Sequence, residues 1–280
     1  MLTMISSEQK RQLSQKITDL IEQLPPLPDT IAELRRVAAN PNVRFSHIAP
    51  ILKRDSSLCA DLLHLVNSAY FGVNHSVDTV DEALRIFGVE PLINFVTLTF
   101  SEKVIRERFL SINNVGDYFQ HSREISKAAV IVAGKAKMNR RIKDFISTAG
   151  LLHDIGRLVI LMAQDKSVFE LAGNSAESLK EVIENEQDIA GMNHCLVGSL
   201  ICEKWHLSTF LQNAIKYHHT PLDGGVHTEA AYIFLAHFLT FNEVSDMMLA
   251  TVLPQDNIKS LGLSPKSIVA AKEEYSKSRK

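Results

Sequence analysis

Cysteine is scarce. The 280-residue chain has three, Cys59, Cys195 and Cys202, and no C-x-x-C pair. That excludes a disulfide framework and fits a reducing cytoplasm. Cys195 and Cys202 are seven apart and can share one helix face, where cysteines ordinarily serve as small buried apolar residues. Glycine and proline are also few, 12 and 9. Strand-like alternation is nearly absent, whereas amphipathic helical periodicity runs throughout, so the expected fold is all-α. Neither sign of charge dominates: 30 basic side chains stand against 32 acidic ones. The electrostatic footprint of a nucleic-acid or anionic-lipid partner is therefore missing. No window approaches 18 uncharged apolar residues, so no membrane span is expected. Met1–Ile5 is followed at once by Ser, Glu, Gln, Lys and Arg, without the apolar core of an export signal. These readings together place the chain in the cytoplasm. What is abundant is apolar side chain, 45%, enough for one large domain or two modest ones.

The punctuation divides the chain into helices. Ser6 and Gln9 have capping-box spacing before an apolar face of Ile17, Leu20, Ile21 and Leu24. Leu24-Pro25-Pro26-Leu27-Pro28 ends that helix, because each proline drives its predecessor out of the α region. Thr30 with Glu33, Ser46, and Asp55-Ser56-Ser57 are expected to cap the next three helices, and Thr79 and Gly88 to bound a short one. The polar segment Ser111–Asp117 divides an N-terminal lobe, residues 1–110, from a second, residues 116–280. The first lobe carries no ionisable cluster and reads as packing and recognition. In it, Tyr70 and Phe71 are expected to pack in the core. In the second lobe one long helix is expected to hold His153-Asp154. Ser208 caps the helix that leads to His218-His219, and Ser264-Pro265 opens the last one.

The chemistry gathers around Leu151-Leu152-His153-Asp154-Ile155-Gly156-Arg157. A histidine and an aspartate stand together in an apolar stretch, and both are costly to bury unpaired. A divalent cation satisfies both, since imidazole nitrogen and carboxylate oxygen are ligands for Fe, Mn, Zn or Ni. A metal-free His–Asp hydrogen bond is the other reading. Of eleven histidines, His121, His153, His194, His218, His219 and His237 each fall where a metal cluster would draw on them. The other five, His47, His64, His75, His206 and His227, read as surface or loop residues. Adjacent His218 and His219 point apart in a helix, so both bind only if the site holds two ions. Arg157 reads either as a phosphate contact or as a surface ion pair.

In this order, His121, His153-Asp154, His194, His218-His219 and His237, the second half resembles the HD superfamily of metal-dependent phosphohydrolases. Several phrases narrow the likeness to HDOD, the HD-related output domain. In the first half they are Leu24-Pro25-Pro26-Leu27-Pro28, Asp55–Leu58, Leu65–Gly72 and Ala83–Gly88. In the second they are Met192-Asn193-His194, Trp205 and His218-His219-Thr220-Pro221. The resemblance implies an all-helical multi-helix bundle in a bacterial signalling setting, acting on a protein partner. It implies one or two divalent transition-metal ions, iron foremost with Mn, Zn or Ni as alternatives. Their ligands would come from His121, His153, Asp154, His194, His218, His219 and His237. Two departures bear on activity. After His218-His219 the chain runs Thr220-Pro221-Leu222-Asp223-Gly224-Gly225, without the Gly-Tyr-Pro element of the cyclic di-GMP phosphodiesterases. The closing aspartate of catalytic members is replaced by His237. Two functions follow as expectations: an interaction module with a retained metal site, or a metal-dependent phosphohydrolase acting on a phosphoester or nucleotide. In the second, Asp154 bridges ions or orients a water.

Overall fold

A computed structural model describes residues 6–25, 28–38, 40, 42–67, 75–89, 92–93, 96–97, 100, 115–164, 178–241 and 244–279. Tyr70, Phe71 and residues 111–114 of the expected lobe boundary lie outside these residues. The described residues form helices and no strand. The helices divide into two units, residues 25–107 on one side and residues 1–24 with 108–280 on the other.

The smaller unit holds α2 (Asp29–Ala38), α3 (Phe45–Arg54), α4 (Ser56–Val66) and α5 (Val80–Phe87). Its core is the set of apolar residues spaced at helical period: Ile31 and Leu34, Ile48 and Leu52, Leu62 and Val66, Leu84 and Phe87. Each such side chain, fully removed from water, contributes about 1.5–3 kcal/mol. Thr79 caps α5 through its oxygen, which accepts from the Glu82 N–H, and Gly88 closes the helix at φ 87°. Asp55 accepts from the Leu58 N–H and caps α4. The other two expected caps differ. Helix α2 begins at Asp29, so Thr30 lies inside its first turn and gives its hydroxyl to Asp55 instead. Helix α3 begins after Arg44, whose N–H donates to His47 Nδ1, and Ser46 lies within the first turn.

The larger unit contains α1 (Ser7–Gln23), α6 (Val115–Lys135), α7 (Arg140–Leu152), α8 (Ile155–Ala163), α9 (Ser178–Ala190), α10 (His194–Lys204), α11 (Thr209–Lys216), α12 (Thr228–Thr240), α13 (Asp246–Thr251), α14 (Gln255–Ser260) and α15 (Pro265–Ser278). The reading of 1–110 as one lobe needs amending at its start: α1 packs on α8, α9 and α10, with Ile17 and Ile21 buried there. The Ser6/Gln9 capping box forms.

Small residues set the close approaches of this unit. Helix α6 offers Ser122, Ser126, Ala129 and Ala133 to its interior. At Gly150 a Cβ would stand 2.6 Å from Ser126 Cα, so α6 and α7 touch backbone to backbone. Helices α8 and α10 meet in the same way at Gly156 and Gly198.

The expected single long helix is broken. Helix α7 ends at Leu152, α8 starts at Ile155, and His153-Asp154 is the turn between them. Asp154 lies at φ −96°, ψ 10°, the bridge region in which functional residues are often held. The apolar pattern is continuous across the break because both helices are buried. Phe145–Ala163 is the one stretch among the described residues long and apolar enough to cross a membrane, and 78% of it is buried inside the fold. It also carries Asp154 and Arg157.

Candidate metal centre

Five segments of the larger unit bring the six histidines to one place. His121 comes from α6, His153 and Asp154 from the α7–α8 turn, His194 from the first residue of α10, His218 and His219 from the turn after α11, and His237 from α12. His153, Asp154, His194, His218, His219 and His237 are buried, while His121 is about a third exposed and forms the edge toward solvent. Ring centroids run from 4.1 Å for His218 and His219 to 5.9 Å for His218 and His237. Of the other five histidines, His47, His75 and His206 are exposed and His227 is half-buried, stacked on Tyr217.

Asp154 sits at the middle and faces two ways. Oδ1 lies 3.2 Å from His194 Nε2 and 3.6 Å from His218 Nε2. Oδ2 lies 3.4 Å from His153 Nε2 and 3.7 Å from His121 Nε2. Arg157 is neither a surface pair nor free for phosphate. Its guanidinium, mostly buried, lies between Asp154 Oδ2, 3.3 Å away, and Glu186 Oε1, 3.7 Å away.

The ring orientations are fixed from behind. His153 Nδ1 donates to the Gly150 carbonyl at 2.8 Å, and His218 Nδ1 donates to the Ile215 carbonyl at 2.6 Å. Glu186 accepts from both His194 Nδ1, at 2.6 Å, and the His194 N–H, at 2.8 Å. Each of these partners can only accept, so each Nδ1 carries a proton and each Nε2 is turned inward. A carboxylate or carbonyl behind an imidazole is the usual support of a metal-binding histidine. His153 Nε2, Asp154 Oδ1, His219 Nδ1 and His237 Nε2 are buried without a hydrogen-bond partner. His194 Nε2 and His218 Nε2 face each other at 3.2 Å. Such an inward set of donors fits a divalent transition metal.

Two members of the site went unread in the sequence. Glu186 is one: it lies on the stripe Leu179, Ile183, Glu186, Ala190, where every other position is apolar and buried. A glutamate at a core position of an amphipathic helix was the available signal. Cys195 is the other. It is buried, as expected of a small apolar residue, but its Sγ lies 3.5 Å from His194 Nε2 and 3.9 Å from His218 Nε2.

The model of the HDOD domain matches residues 24–221. The chain belongs to the HDOD family. It is 26% identical over 211 residues to an uncharacterized protein of Treponema pallidum (strain Nichols), which covers 75% of this chain. It spans about 40% of the length of that curated relative. The crystal structure of an HDOD domain protein of unknown function from Geobacter sulfurreducens superposes with a TM-score of 0.67 at 20% identity, covering 96% of this chain and 95% of that one. A "Putative phosphohydrolase" from Shewanella amazonensis SB2B gives 0.62 at 20% identity, with 95% of each chain covered. A "Putative signal transduction protein" from Marinobacter aquaeolei VT8 gives 0.66 at 20% identity, covering 99% of this chain and 65% of that one. At these identities the likeness establishes the all-helical HDOD fold.

Charge in the HDOD centre is arranged in compensating groups. Burial would raise the Asp154 carboxyl, but Arg157 and His153 hold it well below the ordinary carboxylate range. Burial pushes His121 down to about 4, helped by His153 beside it. Burial and neighbouring imidazoles push His219 and His237 well down too, which keeps them neutral. Burial opposes protonation of His218 as well, but Cys195 and Asp154 outweigh it and raise the ring to about 9. Burial would raise the Cys195 thiol, yet His194 and His218 bring it to about 6. Without an ion, a proton on His218 therefore supplies part of the required positive charge.

This has a measurable consequence. A group raised from 6.5 to about 9 stays protonated until the pH passes about 9. In the metal-free protein that proton contributes stability that is fully present below the unfolded value of about 6.5 and lost as the pH rises through about 9. A metal ion must displace it. Zinc binding at pH 7.5 is expected to release protons from His194 and His218, both raised above the ordinary imidazole value, and the share from His218 should vanish above pH 9. Titration calorimetry in two buffers of different ionisation enthalpy measures it. Equal heats in both buffers at pH 7.5 would show that His218 carries no extra proton in the metal-free protein.

Proposed function

We propose that this HDOD chain is a signalling output module that holds a divalent metal centre and acts mainly through a protein partner. The observation that carries the proposal is the closure of the donor set. Asp154 and five of the six histidines are buried, and each that is anchored from behind points its free atom inward. Sites filled by protein donors are structural or sensing, whereas catalytic sites keep a position open for water or substrate. The absence of the Gly-Tyr-Pro element and the presence of His237 in place of a carboxylate point the same way. An imidazole offers one nitrogen to one ion, whereas a carboxylate can bridge two ions or take a proton from water.

The ligands we assign are His121, His153, Asp154, His194, His218, His219 and His237, for one or two ions of the iron, manganese, zinc or nickel class. Asp154, with one oxygen toward each group of histidines, would be shared between two ions. Arg157 neutralises Asp154 and Glu186 and holds both carboxylates in place, which leaves it unavailable to a substrate phosphate.

The second reading is a phosphohydrolase. It draws on the half-open edge at His121 and on the description of the Shewanella neighbour. A bound ion there would supply Lewis acidity toward a phosphoryl oxygen. His121, the one partly exposed member, would then line the substrate entry, and Asp154 would orient the attacking water.

Untagged protein purified without added metal separates the two. The expected result is one to two equivalents of metal and no turnover of phosphomonoesters, phosphodiesters or nucleotides. Turnover that scales with metal content would establish the hydrolase. Metal near zero in every preparation would remove both readings.

A further inference from the structure

We propose that Cys195 is a metal ligand, so that the centre consists of two chemically unlike positions. One holds its ion with the Cys195 thiolate, His194, His218 and His219, and the other with the imidazoles of His121, His153 and His237. Asp154 lies between them. The proposal rests on the metal reading above and deepens it, because it assigns the kind of ion that the first position takes.

The argument is geometric. The ligand atoms of His194, Cys195, His218 and His219 all lie within 4.8 Å of one another, and so do those of His121, His153 and His237. A tetrahedral ion at about 2.0–2.1 Å from nitrogen and about 2.3 Å from sulfur sets the edges between its ligands. Nitrogen–nitrogen edges are then about 3.3–3.4 Å and sulfur–nitrogen edges about 3.6 Å. The observed edges are 3.2 Å between His194 Nε2 and His218 Nε2, and 3.5 and 3.9 Å from Cys195 Sγ to those nitrogens.

Independent support comes from His219. This ring is buried, and its Nδ1 has no hydrogen-bond partner. It lies 5.0 Å, centroid to centroid, from the His194 ring and 4.1 Å from His218. A fourth donor is therefore present where a three-donor site would need a water. The pairing of His218 with His219 also resolves here: both come from the turn after α11, not from a regular helix, so the two rings share one side at 47° to each other.

The consequence is selectivity. Thiolate favours zinc-class and other softer divalent ions over manganese or magnesium, whereas the all-imidazole position discriminates less. The two positions should fill in order, the thiolate position first.

Cobalt(II) is the probe. Metal-free full-length protein is titrated with it under nitrogen and followed by absorption. The first equivalent is expected to raise a near-ultraviolet sulfur-to-cobalt charge-transfer band that saturates before the second binds. Cys195→Ser should lose the band and bind the first cobalt about tenfold more weakly or worse. If that variant does not fold, Cys59→Ser/Cys202→Ser, which removes the other two thiols, carries the assignment, since the band should persist in it. Cobalt bound without the band, or a band that survives Cys195→Ser, would overturn the thiolate ligand alone. No cobalt bound at any concentration would overturn it together with the metal reading.

Discussion

Asp154→Ala is expected to lower the metal content of the protein and to destabilise the larger unit by about 3–5 kcal/mol. Two losses coincide. The carboxylate faces His121, His153, His194 and His218 at 3.2 to 3.7 Å. Without it, two bound ions would face imidazoles with no shared anion between them. Arg157, whose guanidinium is mostly buried, would keep Glu186 alone as its counterion, at 3.7 Å. Breaking a buried pair leaves a charge that neither water nor protein compensates, which is costlier than never having made the pair. Against a total of about 5–15 kcal/mol for a typical domain, this is a large fraction. Asp154→Asn separates the two losses. It keeps the volume and one acceptor oxygen for Arg157 but removes the charge, so metal binding should still weaken while more of the stability survives. Metal analysis and thermal unfolding with and without zinc measure both. Wild-type protein should gain about 4 kcal/mol at a thousandfold excess of zinc over its dissociation constant, and Asp154→Asn should gain clearly less at the same zinc concentration. An Asp154→Ala variant that retains the wild-type metal content would sink the assignment of this carboxylate.

The parts of this site legible in the sequence were those whose residue type is unusual in its surroundings. Six histidines and one aspartate inside apolar helices announce themselves, and the structure draws all seven together. Caps at Ser6, Thr79, Gly88, Ser208 and Ser264 were equally legible, because each is a local hydrogen bond or backbone requirement. What escaped depends on long-range packing. The break at His153-Asp154 has no proline or glycine to mark it. It is stabilised instead by the His153 Nδ1 bond to Gly150 and by the packing of α8 on α10. The assignment of α1 to the larger unit escaped for the same reason, since its apolar face does not say which surface it covers. Glu186 and Cys195 were overlooked because a glutamate in a polar helix and a cysteine in an apolar one look ordinary until their neighbours are known.

Gly156→Ala tests the one close contact on which the geometry of the centre depends. A Cβ at Gly156 would stand 2.1 Å from the His194 carbonyl oxygen, 2.6 Å from the Gly198 nitrogen and 2.9 Å from the His194 carbonyl carbon. All three are backbone atoms, so no rotamer change relieves the clash, and α8 and α10 must separate by an ångström or more. That separation carries His194 and Cys195, the first two residues of α10, away from Asp154, which immediately precedes α8. The expected result is destabilisation of about 3 kcal/mol or more, at or beyond the upper end for overpacked cores, together with loss of metal. Gly198→Ala should be milder, since its Cβ would meet one side-chain atom, Ile215 Cγ2, at 2.8 Å and no backbone atom closer than 3.4 Å. Gly134→Ala on α6 would meet nothing within 4 Å, and should be neutral or stabilising by up to about 1 kcal/mol because alanine suits a helix better. The predicted order of harm, Gly156 above Gly198 above Gly134, reverses what helix propensity alone would give for all three, namely uniform gain. Melting temperatures and metal content of the three variants decide it. If Gly156→Ala melts with the wild type and keeps its ions, α8 and α10 do not meet as closely as the His194–Asp154 geometry requires. The inward convergence of the donors would then need another cause.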